Sequence, residues 1–146
     1  MIEIKKLEKY SPEVAGQIRK LLVELSRSGK DKGEIPEEWF NDVIRSPWHD
    51  VLLAVDGGKI LGMASLSITM GAGIRKNAYL EDFVVSSETR GQGVGGKLWE
   101  AMMAWAREHG AKRMEFTCGN GREVAQQFYK HHGAEIYGTN FFRVEL

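Results

Sequence analysis

Apolar and polar residues alternate over residues 2–6, the period of a strand with one buried face. Ser11-Pro12-Glu13 then supplies a helix N-cap followed by a proline at the first helical position. From there the period changes. Val14, Ile18, Leu21, Leu22 and Leu25 recur at helical spacing opposite Glu13, Gln17, Lys20 and Glu24, which predicts a helix with a core stripe and a polar face. Residues 26–34 have no period and contain Gly29 and Gly33, so they read as a mobile surface loop. Pro36 opens a second helix, expected to bury Trp39, Phe40, Val43 and Ile44. Residues 51–55, the turn Asp56-Gly57-Gly58 and residues 60–69 read as an antiparallel hairpin, with residues 70–77 as a loop. His49, just before the hairpin, is read as a surface or capping residue.

The later chain carries a strand from Tyr79, a polar turn, and a helix whose stripe is Val94, Leu98, Met102, Trp105 and His109, ending at Gly110. Residues 113–118 read as a strand, 122–132 as a helix stopped by Gly133, and 135–137 with 140–146 as a closing pair of strands. This order predicts an α+β fold: a mixed, mostly antiparallel sheet flanked by about four helices, in one domain over residues 1–146.

Composition narrows the class. A chain of 146 residues, 42% apolar and 27% charged, suits one globular domain with one core. Twenty basic residues balance twenty acidic ones, so no nucleic acid or acidic membrane is expected as a partner. The longest uncharged run, residues 60–74, is too short and too polar to span a bilayer, and the first residues lack the layout of a signal peptide. A single cysteine, Cys118, makes no internal disulfide, and a cytoplasmic location is expected.

The chemistry centres on residues 79–97. Gly91, Gly93, Gly95 and Gly96 let the backbone turn sharply at the start of a helix, where unpaired N–H groups and a partial positive charge favour an anion. Arg90 adds a formal charge, so a phosphorylated ligand is expected. Gly91-x-Gly93-x-x-Gly96 matches the dinucleotide fingerprint, but it stands two-thirds of the way along the chain, where too little follows to complete a dinucleotide fold. Gly91-x-x-x-x-Gly96-Lys97 imitates a P-loop, yet Leu98 stands where a hydroxyl must hold magnesium.

Arg90-x-x-Gly93-x-Gly95, directly after an apolar strand, resembles the signature by which the GCN5-related N-acetyltransferase (GNAT) superfamily grips the pyrophosphate of acetyl-CoA. Ala125-Gln-Gln-Phe128-Tyr129, closed by Gly133-Ala134, is similar to the family's later helix. The resemblance implies an acyl-CoA N-acyltransferase fold and transfer of an acetyl group from acetyl-CoA to a primary amine, with no metal. It gives Phe83, Val84 and Val85 backbone contacts to the pantetheine arm, and Arg90, Gly91, Gln92, Gly93, Val94, Gly95 and Gly96 the pyrophosphate. It places the Tyr129 phenol near the sulfur, where it protonates or hydrogen-bonds the leaving thiolate. Arg122 stands where many relatives have Asn, and is expected to reach a cofactor phosphate or an anionic acceptor.

Tyr79-Leu-Glu-Asp-Phe further resembles the spermidine/spermine N-acetyltransferases, whose glutamate in this strand acts through water, which makes Glu81 the base candidate. Asp82, on the opposite face by strand alternation, holds a cation or the scaffold instead, and the base stays open among Glu81, Asp82 and water. The acceptor is an amino sugar, an amino acid, a polyamine or a protein amine. A homodimer is expected from the family and from the apolar pair Phe141-Phe142. Cys118 reads as a packing residue, not a nucleophile, because no activating base stands beside it in sequence. The competing reading is a catalytically idle acyl-CoA-binding or regulatory module.

Overall fold

The computed structural model describes residues 1–146, which divide into two units, Met1–Phe116 and Thr117–Leu146. The first unit holds a sheet of five strands in chain order: β1 (Glu3–Lys6), β2 (His49–Asp56), β3 (Lys59–Gly71), β4 (Arg75–Val85) and β5 (Met114–Glu115). Neighbours are antiparallel from β1 to β4, and β5 runs parallel to β4. Helix α1 (Pro12–Leu25) and helix α2 (Glu37–Arg45) follow β1, and α3 (Val94–Glu108) follows β4. The α+β class and its mixed, mostly antiparallel sheet with four helices are therefore found.

The two faces of the sheet bury different helices. Met63, Val84, Leu53 and Val51 form one core with Ala15, Ile18 and Leu21 of α1 and Phe40 of α2. On the other face Ala64, Leu66, Ala78 and Leu80 are buried, and α3 supplies Val94, Leu98, Met102 and Trp105. Gly62 is what lets α3 lie close. A Cβ there would stand 2.9 Å from the Val84 carbonyl oxygen and 3.1 Å from the Leu98 side chain.

Several expectations are corrected. Trp39 is 64% exposed, because the α2 stripe is Phe40, Val43 and Ile44 and position 39 lies about 100° out of phase with it. The expected loop at 70–77 shrinks, since Met70 pairs with Lys76 and Gly71 with Arg75, so the ladder runs almost to the tip. The strand expected at 113–118 is only Met114–Glu115, paired at Ala78 and Tyr79. Residues 26–34 are tethered to α1: Arg19 Nε donates to both oxygens of Asp31, at 2.8 and 3.0 Å, and Asp31 also accepts the Gly33 N–H. That donor set holds the Asp31 carboxyl below its usual range, the Arg19 guanidinium contributing most.

The second unit carries α4 (Glu123–His131) and no strand. Strands expected at 135–137 and 140–146 are absent, and Ile136, Phe142, Val144 and Leu146 are exposed. Phe142, Val144 and Leu146 alternate with Arg143 and Glu145 as a strand would, but a strand needs a ladder, and no other strand pairs with this segment.

Candidate functional site

The glycine-rich entry to α3 forms as its residues dictate. A short 3-10 turn, Ser87–Thr89, leaves β4, its first N–H held by Glu24 of α1. Gly91 (φ 79°) and Gly93 (φ 80°) then take left-handed backbone, which turns the chain into α3 with Gly93 as N-cap. An ideal Cβ at either glycine meets nothing within 4 Å, so the approach to this backbone is open. The first N–H to reach back is that of Lys97, to the Gly93 carbonyl at 3.1 Å. The N–H groups of Val94, Gly95 and Gly96 belong to the first turn, which has no intrahelical acceptor. With the helix dipole behind them and the exposed Arg90 beside them, they fit an anion such as a pyrophosphate.

Beside this entry, β4 outruns its neighbour: β5 ends at Glu115, opposite Tyr79, whereas β4 continues to Val85. The strand also changes phase. Ser65 pairs with Asp82 and Leu66 with Leu80, so Glu81 is the extra residue of a β-bulge. Simple alternation across Glu81 and Asp82 is broken there, which corrects the expectation that they serve opposite faces. Asp82 falls in register with Ser65 and Val51, next to the row Leu53, Met63, Val84 that faces α1 and α2.

The same face turns polar further along. His49, Ser67, Tyr79 and Glu115 form one row across four strands, with Thr69 and Asn77 beyond it. Asn77 Nδ2 donates to Glu115 Oε1 at 3.1 Å, and Asn77 Oδ1 is buried without a partner. His49 is exposed, as expected of a surface residue, and its Nδ1 shares a 2.8 Å hydrogen bond with Ser46 Oγ. Glu81 is exposed, Asp82 is half-buried and Glu115 is exposed, and none of the three belongs to any of the ion pairs in the structure. No group of three or more His, Cys, Asp and Glu residues is arranged to hold a metal ion, and no helix is long and apolar enough to cross a membrane.

In the second unit Tyr129 lies on α4, 7% exposed, with its ring edge-on to Phe128 at 5.8 Å. Burial pushes its phenol above the ordinary range, the neighbouring Cys118 adds to the shift, and the Arg122 guanidinium opposes it. Tyr129 therefore carries its phenolic proton at neutral pH. Arg122 is exposed and occupies the N-cap of α4. Gln126 reaches back to the carbonyls of Gly119 and Asn120, fixing the turn that precedes the helix. Cys118 is half-buried and free.

The first unit therefore brings together Glu81, Phe83, Val84, Val85 and the segment Arg90 to Gly96, while Arg122 and Tyr129 stand together in the second. Three residues escaped the sequence reading. Gln17 and Glu24 sit on the polar face of α1, yet Gln17 clamps Gly58 and Ile60 across the hairpin turn and Glu24 holds Ser87. Nothing local distinguishes them from solvated residues. Ser65 had a signal: with Ser67 and Thr69 it marks every second position of an otherwise apolar strand.

Residues 16–134 match the acetyltransferase (GNAT) family, and the chain belongs to that family. It is 27% identical to a thialysine N-epsilon-acetyltransferase of Bos taurus, over 89% of this chain and 86% of that protein. Among solved structures, an aminoglycoside acetyltransferase from an uncultured soil metagenomic sample shares the fold with a TM-score of 0.84 at 20% identity, covering 99% of this chain and 97% of the other. The aminoglycoside N-acetyltransferase AAC(6')-Iy in complex with CoA does so with a TM-score of 0.79 at 18% identity, covering 99% and 95%.

Proposed function

We propose that the protein is an N-acetyltransferase that moves an acetyl group from acetyl-CoA to a primary amine by direct attack within a ternary complex, with residues 1–146 acting as one catalytic domain. The observation that carries this reading is the open N-terminus of α3, with left-handed Gly91 and Gly93 and unpaired first-turn N–H groups. In it, the backbone of Arg90, Gly91, Gln92, Gly93, Val94, Gly95 and Gly96 receives the pyrophosphate, and Arg122 contributes to phosphate binding. The run of β4 beyond the end of β5 supports a place for the pantetheine arm along Phe83, Val84 and Val85.

The amine arrives as an ammonium ion. Carboxylates at Glu81, Asp82 and Glu115 that no lysine or arginine neutralises support a cationic acceptor of small size, such as an amino sugar, an amino acid or a polyamine. Glu81 takes one proton through water. The free amine bonds to the thioester carbon, the C–S bond breaks, and Tyr129 protonates the departing thiolate, recovering its proton from the acylated nitrogen. We propose this reaction for the cytoplasm, where the free Cys118 stays reduced, and for a homodimer, which the exposed apolar residues of 136–146 support.

The test is a screen of small amines with acetyl-CoA, read by thiol release. Amine-dependent thiol release is expected. Acetyl-CoA binding without turnover on any amine would replace this reading with an idle binding module.

A further inference from the structure

Where β4 carries one residue more than β3, a side chain closes the gap. Ser65 Oγ accepts the Asp82 N–H at 3.0 Å and donates its own hydroxyl to Asp82 Oδ2 at 2.6 Å. A serine hydroxyl has one hydrogen to give, and here it is committed to the carboxylate, while its lone pair serves the amide that the bulge takes out of the regular ladder. Both bonds fix the same residue. Asp82 is thereby held on two atoms, while the exposed side chain of its neighbour Glu81, the extra residue of the bulge, makes no hydrogen bond or ion pair with the protein. Two adjacent carboxylates thus stand in opposite mechanical states.

We propose that Ser65 is a positioning residue for acetyl transfer, which by clasping Asp82 leaves Glu81 as the single carboxylate that receives the acceptor's proton. This rests on the reading of Glu81 as the base. The step it serves is balanced: the ammonium gives one proton through water to the Glu81 carboxylate, leaving a free amine and a neutral glutamic acid, which later returns the proton to solvent. Ser65 touches neither amine nor thioester. It acts by keeping the bulge in one register and Asp82 out of the proton path. Without the hydroxyl, Asp82 loses both restraints and competes with Glu81 for the same water.

The two carboxylates then become interchangeable, which a purely structural serine would not produce. The experiment measures kcat/KM with the best acceptor from the amine screen in wild type, Ser65→Ala, Glu81→Gln and the double variant. Glu81→Gln is expected to cost about 100-fold in wild type, the size of a positioned base, and no more than about 3-fold on Ser65→Ala, where Asp82 substitutes. Adding Asp82→Asn to the double variant should restore the full loss, and Ser65→Thr, which keeps the hydroxyl, should behave as wild type. The KM for acetyl-CoA should not move. If Ser65→Ala does not fold at the assay temperature, Ser65→Cys, similar in shape but a weak donor, takes its place. A Glu81→Gln cost that is large and equal in both backgrounds overturns the role of Ser65 and leaves the base assignment standing. No cost in either background overturns the base assignment itself, and this inference with it.

Discussion

The carboxylate of Glu24, in the last turn of α1, accepts the backbone N–H of Ser87 at 2.8 Å, and its other oxygen lies 3.5 Å from Ser86 Oγ. This joins the first helix of the chain to the turn that leads into the α3 entry. The turn also holds itself, through the Thr89 hydroxyl on the Ser86 carbonyl, and Lys59 pairs with Glu88 on its outer side at 2.6 Å. Glu24 is therefore the link that aligns the approach to Arg90 and Gly91. Removing it frees a backbone donor and a pivot at once. Glu24→Ala should weaken acetyl-CoA binding by about 3- to 10-fold while costing only about 1 kcal/mol of stability, the usual scale of one hydrogen bond. Isothermal titration against acetyl-CoA and a urea melt measure the two. An unchanged affinity would remove the loop-aligning role.

Gly93 tests the anion site directly. Its φ of 80° disfavours any side chain, and the space around it is open, so a substituent would project where the ligand is proposed to lie. Gly93→Glu should abolish measurable acetyl-CoA binding, because a carboxylate at this helix start opposes the pyrophosphate. Gly93→Ala, which adds only backbone strain, should bind more weakly than wild type yet detectably. Calorimetry that gave wild-type affinity for the glutamate variant would refute the pyrophosphate assignment.

On the far side of the sheet, Asp50 is 5% exposed and has a partner on each oxygen: Lys6 Nζ at 2.9 Å on Oδ1 and Trp105 Nε1 at 2.7 Å on Oδ2. The indole links α3 to β2. Trp105→Phe keeps the ring but leaves one buried carboxylate oxygen without its donor, a loss of about 2 kcal/mol. Equilibrium urea unfolding should show this as a lower midpoint at constant slope, with acetyl-CoA affinity unaltered.

How much of this was legible beforehand divides by range. The α3 entry and α4 were readable because their determinants are local: glycines at fixed offsets and stripes of period 3.6, just as Ser11-Pro12 and Pro36 announced α1 and α2. What the sequence withheld depends on partners distant in the chain. Glu24 and Gln17 share the composition of a solvated face, and only folding shows that each meets a backbone far away in sequence. The bulge at Glu81 exists in the pairing of two strands, so alternation within β4 alone assigned Asp82 to the wrong face. Residues 140–146 have a strand's period without a strand's partner, and the same local rule that succeeded for β2 and β3 overreached there.

Tyr129 gives a pH dependence with a definite sign. Its phenol is pushed up chiefly by burial, so the folded state favours the neutral form more than the unfolded chain does. The contribution is complete below the unfolded value of about 10, and it is lost as pH rises through the higher folded value. Denaturant midpoints should therefore fall more steeply above about pH 10 in the wild type than in Tyr129→Phe. If the proposed proton donation to the thiolate is right, the same variant should lose about 100-fold in kcat, and alkali should not restore it. Equal slopes with alkali would show that the phenol ionises no later in the fold than in the open chain.

Glu81 should leave the opposite signature. An alkyl ammonium with a pKa near 10 is almost wholly protonated at neutral pH, and only its free-base fraction attacks a thioester unless a base draws the proton away. Glu81→Gln keeps the length and the bulge of β4 but removes the charge that accepts the proton. Its kcat/KM should fall most, by about 100-fold, near pH 7 and recover toward the wild-type value near pH 10, where solvent deprotonates the amine without help. A weaker attraction for the ammonium would instead raise the acceptor KM with kcat unchanged, at every pH where the amine is charged. The full profile from about pH 6 to about pH 10, with kcat and KM separated, distinguishes the two causes. A variant that tracks the wild type throughout would leave proton removal to Asp82 or to water alone.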